Sequence, residues 1–382
     1  MNKILPFAFL LTAVLLPCRV SAAVNIKQTY ADCSRVRIEV SGTPADAAIR
    51  ISTSPYGIYA DWKEKTRTLS ASEYELKGLY EGSRYYVRLG NSRPVSVVTA
   101  PKGSIKSAVQ TGSGRNYVTV SWEKVPHADA YRISGADAAG HIFNEHLTAS
   151  EYGRIKLPRE DERYRICIIP VKKTAKYCAD GSRFESGLTF RTLPAKLKAP
   201  EYKKNRLGNG SAYFSWDVSP AAAGYEYEIS DSSGKKIFAG TSIRNTAWIG
   251  DSRLKDGAFY GIRVRGTVAL AEGTAAGPWS GRTYFCGNVR TVKLKRNGRR
   301  IKIRWKGVKG AESYRIYVSE KAPDRLSGMK CVKTVKKAHF TLKRYGGKAL
   351  KIGKTYYISV AAVKRTGGKT FVSRPSRYYY LS

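Results

Sequence analysis

Residues that usually carry catalysis are scarce in this chain. Of 382 residues, 4 are histidine and 2 are methionine. His141 and His146 flank Glu145, but a strand or loop cannot present them as a helical His-Glu-x-x-His pair does. His127 falls in a turn and His339 in a predicted strand, neither beside a nucleophile pattern. Gly-x-Ser-x-Gly, phosphate-loop and Cys-x-x-Cys spacings are absent. So are helical periodicity and any Gly-Ser or Pro-rich linker, whereas Tyr (26) and Gly (35) are abundant, which favours strands and turns. With no catalytic constellation and no cofactor motif, the residues point to binding and display rather than to an enzyme.

Residues 1–22 read as an export signal. Lys3 supplies the positive start, residues 5–16 are almost wholly apolar, and Val20-Ser21-Ala22 is a small-residue cleavage site. The apolar core is shorter than the roughly 20 residues of a membrane span, and no later run is apolar enough to cross. Cleavage removes Cys18 and leaves Cys33, Cys167, Cys178, Cys286 and Cys331, which an oxidising compartment allows to pair. A hairpin centred on Lys172-Lys173 would set Cys167 opposite Cys178, a disulfide candidate; Cys286 with Cys331 is a second. An odd count leaves one thiol without a partner in the chain.

What is present is a repeat. Trp122, Trp216 and Trp305 each end an alternating apolar run, and nine residues later Tyr131, Tyr225 and Tyr314 open another. Val40 and Ile49 keep the spacing without the aromatics. Each copy closes on Tyr-x-[Val/Ile]-x-[Leu/Ile/Val], at Tyr85, Tyr164, Tyr260 and Tyr356. A period of about 80 to 100 residues with strand alternation describes an array of small all-β domains. The boundaries read as 23–100, 101–195, 196–287 and 288–382, with short, stiff junctions.

These residues resemble the fibronectin type III family, with a core tryptophan on strand B and a buried tyrosine opening strand F. Leu79 to Tyr85 and Leu254 to Tyr260 are similar to its leucine-to-tyrosine corner, and Ile352-Gly353-Lys354-Thr355-Tyr356 to a shorter one. Pro278-Trp279-Ser280 and Pro375-Ser376 resemble its Pro-x-Ser close before strand G. The resemblance covers 24–382, weakest in the first copy. It implies four seven-stranded, immunoglobulin-like Greek-key sandwiches, and no single activity, since such domains serve as spacers and as adhesive or receptor modules. With the export signal it suggests a secreted or surface-associated bacterial protein.

Charge separates the copies. The first three carry net +3, +5 and +5, whereas residues 288–382 hold 27 basic and 3 acidic residues, net +24. Strand parity sends Lys293, Lys295, Lys302, Arg304 and Lys306 to the outside of one sheet, with Asn297-Gly298 turning between the two strands. Arg315, Tyr317 and Tyr357 point outward on the other sheet, and 377–380 adds aromatics there. Such a density of like charge repels itself and asks for a polyanion: wall polymer, surface polysaccharide or glycosaminoglycan. Extracellular DNA binds by the same physics without base readout. A protein partner held by loops and strand edges is the alternative reading.

Overall fold

The computed structural model of the protein describes residues 24–42, 48–206, 211–290, 292–323 and 328–382; residues 1–22, expected to be an export signal, lie outside them. The regular structure there is almost all strand, with a 3-10 turn at Lys63–Lys65. In the second copy Ala108–Ser113, Tyr117–Trp122 and Tyr152–Lys156 form one antiparallel sheet. Ile142–Thr148, Ala130–Ala136, Arg163–Lys173 and Cys178–Asp180 form the other. The first strand therefore pairs with the second, the second with the fifth, the third with the fourth and sixth, and the sixth with the seventh. The third and fourth copies repeat this order, and the first does so with a short extra strand, Thr66–Thr68. That crossing between two sheets is the Greek key of immunoglobulin-like and fibronectin type III-like sandwiches. The chain is a tandem array of them.

Alternation builds each core. Val118, Val120 and Trp122 are buried while Thr119 and Ser121 face outward, and Ala212, Phe214 and Trp216 repeat the pattern. The nine-residue interval has a geometric reason. Trp122 meets Tyr131 edge-on at 5.3 Å between centroids, Trp216 meets Tyr225 at 5.6 Å, and Trp305 meets Tyr314 at 5.1 Å. In each case the amide three residues after the tryptophan donates to the tyrosine hydroxyl: Val125 at 2.9 Å, Ser219 at 3.1 Å and Val308 at 2.9 Å. The first copy has moved its tryptophan: Trp62, from a different strand connection, packs on the core and donates to the Lys77 carbonyl at 3.0 Å.

The late tyrosines do similar work. The amide five residues upstream donates to the hydroxyl of Tyr85 (2.8 Å), Tyr164 (3.2 Å), Tyr260 (3.0 Å) and Tyr356 (3.2 Å). In the fourth copy the buried corner leucine is Leu350, six before Tyr356 as Leu79 and Leu254 are before theirs. Ile352 is 69% exposed, so this corner is not the shorter version expected.

Neither expected disulfide is present. The strand Arg163–Lys173 runs straight through Lys172-Lys173, and the turn falls at 174–177 instead. Cys178 lies opposite Lys173, and Cys167 opposite Glu185. Six residues of extended chain, about 20 Å, separate the position facing Cys178 from Cys167, far beyond bridging reach. Both are free thiols. Cys286 is a buried thiol pushed up to about 12 by burial and by neighbouring Asp256, whereas Cys331 is exposed on Lys330–Val335.

The indole N–H of Trp122, Trp216 and Trp305 is buried without an acceptor among the described residues, so the ring contributes area rather than a hydrogen bond. Trp305→Ala should therefore cost about 3–5 kcal/mol in the fourth unit, and Trp305→Phe clearly less. Native-state amide exchange at Ile301 and Ile316 reads that unit alone. Equal losses for the two variants would show that the indole N–H matters after all.

Candidate functional site

The fourth unit places its cations on the outer face of a three-stranded sheet, Lys293–Asn297, Arg300–Arg304 and His339–Leu342. Leu294, Ile301, Ile303 and Leu342 point into the core, so the residues between them must face solvent. Lys293, Lys295, Lys302, Arg304 and Lys306 are all exposed. The hairpin that joins the first two strands closes through Gly298-Arg299, one residue later than expected, with Gly298 at φ 54° in the first turn position.

Register turns those exposed residues into rows. Lys293 lies opposite Arg304, which lies opposite His339; Lys295 lies opposite Lys302, which lies opposite Thr341. Directly opposed side chains have Cβ atoms about 4.5–5.5 Å apart, and like charges there are destabilising. None of the five cations pairs with a described carboxylate. Ion pairs of the fourth unit include Lys354 with Glu320 at 2.6 Å and Arg290 with Asp256 of the third unit at 3.0 Å. The hydrogen bond to Glu320 raises the Lys354 ammonium above its ordinary range. Elsewhere basic residues are neutralised more thoroughly: Arg37 and Lys77 share Glu75, and Arg132 reaches both Glu145 and Asp180.

Sequence parity did not single out Arg296. It faces the other way and donates to the carbonyls of Lys351 (3.0 Å) and Lys354 (2.7 Å), tying the first strand to the corner before Tyr356. That arginine is structural.

On the second sheet, Arg315 and Tyr317 are half-buried, and Tyr317 lies across from Ser359. Tyr357, the diagonal neighbour, sits opposite Tyr380. Its ring lies 5.5 Å from Tyr378 and 5.9 Å from Tyr380. The C-terminal segment thus adds two tyrosines to Tyr357. The rings are inclined at 75° and 43°, one edge-on and one tilted, rather than a flat stacking platform.

No protein-family model matches the chain. Among solved structures, the crystal structure of the chicken CNTN1 FN1-FN3 domains aligns at 16% sequence identity with a TM-score of 0.25. The alignment covers 73% of this chain and 98% of that one.

The opposed Lys295–Lys302 pair should weaken its own unit. Lys302→Gln is expected to stabilise it by about 0.2–1 kcal/mol, with the gain shrinking as salt screens the repulsion. Thermal unfolding of the two proteins in low and high salt checks this. A gain that is unchanged in high salt would mean the effect is not electrostatic.

Proposed function

We propose that this is an exported, non-enzymatic binding protein in which the fourth sandwich holds an anionic polymer while the first three space and present it. The observation that carries the reading is the pair of cation rows on the Lys293–Asn297 and Arg300–Arg304 strands. They are exposed, directly opposed, and without described carboxylate partners. A polymer of closely spaced carboxylates, sulfates or phosphates relieves that repulsion and releases its own counterions on binding. A wall polymer, surface polysaccharide or glycosaminoglycan fits an exported chain, and a bacterial surface is its proposed setting. DNA is held by the same contacts without base readout.

A second reading has one observation behind it. Tyr56 and Ile58, in the loop before Ala60–Asp61, are 97% and 96% exposed. Apolar side chains at a sandwich tip suit contact with a protein partner through that loop.

The fourth unit's core includes Phe259 and Cys286 of the third, so the test uses the whole chain. Replacing Lys293, Lys295, Lys302, Arg304 and Lys306 by glutamine should elute the protein from immobilised heparin at distinctly lower salt. It should also flatten the dependence of log affinity on log salt. Unchanged elution sinks the polyanion reading. A partner whose binding resists high salt and is lost in Tyr56→Ser/Ile58→Ser supports the second one.

A further inference from the structure

The third and fourth units border an open cleft of about 430 Å³ whose lining includes none of the row residues. Arg263, Ser280, Arg282 and Tyr284 form the third unit's wall, and Lys369 and Phe371 the fourth unit's. Tyr284 and Phe371 meet edge-on at 5.4 Å, so the back of the cleft is aromatic. The hairpin tip beside Lys369 turns through Gly367 and Gly368, at φ 53° and 72°, with open space where side chains would stand.

Its charge is unbalanced. Arg263 and Arg282 share one carboxylate, Glu228, at 2.8 and 3.2 Å. Burial pushes the Glu228 carboxyl up, but the two guanidiniums outweigh it and hold it below its usual range, so it stays ionised. Two guanidiniums against one carboxylate leave one positive charge, Lys369 adds a second, and Lys364, its ammonium 5.0 Å from the centre of the Tyr284 ring, adds a third at the cleft's edge. The Arg263 guanidinium also stacks on Trp279 at 4.6 Å, which fixes it in place before any ligand arrives. An anion entering here meets two guanidiniums already oriented by Glu228, with Lys369 free to reach it from the tip, beside an aromatic wall that suits the apolar face of a ring.

We propose that this cleft binds one acidic sugar residue of a polysaccharide, its carboxylate or sulfate against Arg282 and Lys369 and its ring against Tyr284 and Phe371. The proposal deepens the anionic-polymer reading but uses none of the residues of the cation rows.

The full-length protein is titrated with three hexasaccharides: hyaluronan-derived (carboxylate only), heparin-derived (sulfate and carboxylate) and cellohexaose (neutral). Acetylation of Lys369 by an N-hydroxysuccinimide ester is followed by mass spectrometry. Either acidic hexasaccharide should slow Lys369 acetylation, and the stronger one names the head group; cellohexaose should not. Lys369→Ala and Arg282→Gln should each weaken acidic hexasaccharide binding about tenfold, the loss of one charge-assisted hydrogen bond. Lys369→Ala lies on an exposed tip and should leave the thermal midpoint unchanged. Protection of Lys369 should survive in Lys295→Gln/Lys302→Gln/Arg304→Gln, which separates this site from the rows. Acetylation of Lys369 that ignores both acidic sugars, or that cellohexaose slows equally, overturns the proposal. Full heparin affinity in the triple variant with Lys369 still protected overturns the rows and leaves the cleft standing.

Discussion

Each sandwich depends on tyrosine hydroxyls that accept backbone amides its sheets leave over. A buried amide without a partner costs about 1–3 kcal/mol, and a chain that passes repeatedly between two sheets strands such amides at every crossing. Seven tyrosines resolve this: Tyr131, Tyr225 and Tyr314 after the tryptophan strand, and Tyr85, Tyr164, Tyr260 and Tyr356 at the late corner. Serine does the same at the last bend. Ser280 accepts the Val264 amide at 2.9 Å, and Ser376 the Val360 amide at 3.0 Å. The fold is thereby held from inside, and the outer positions of its strands are left open to change.

The fourth unit shows how far that freedom extends. Its charged residues are almost all basic, yet its core is the same tryptophan–tyrosine pair and aliphatic layer found in the second and third units. Exposed repulsion at Lys295–Lys302 costs tenths of a kcal/mol to about one. Burial of Trp305, Tyr314 and their neighbours contributes several times that. The charge is therefore tolerated by the fold without being required by it.

The periodic part of the structure was legible in the sequence because a strand writes its burial directly, residue by residue. Trp122, Trp216 and Trp305 marked their strands, and parity sent Lys293, Lys295, Lys302 and Arg304 to solvent. Turn frames were less legible. Lys172-Lys173 has a loop's composition, but its strand keeps its partner as far as Cys178, which removed the Cys167–Cys178 bridge. Likewise the chain turns at Gly298-Arg299 rather than Asn297-Gly298. Trp62 in the first copy breaks the spacing, and only its tertiary packing identifies it as that core's tryptophan. The cleft left no local signal at all, since Arg282 and Lys369 lie 87 positions apart and meet only through the contact of two units.

That contact is specific rather than incidental. The amide of Phe259 donates to the Lys309 carbonyl at 2.9 Å, and the Lys309 amide returns the bond to Gly257 at 2.9 Å. Asp256 accepts from the amide of Asn288 and from Arg290 across the same junction, each at 3.0 Å. A Cβ at Gly310 would stand 2.3 Å from that of Ser232, and Gly310 sits at φ 81°, so the approach needs glycine on two counts. A junction fixed in this way sets the cleft before a ligand comes, which cuts the ordering cost of binding. On the proposed reading the cation rows act differently: exposed basic side chains would gather an anionic chain without choosing among sequences, and salt would weaken that hold. Rows that collect the polymer and a fixed cleft that selects a residue of it are complementary. Under that proposal affinity resides mainly on the fourth unit, and discrimination at its contact with the third.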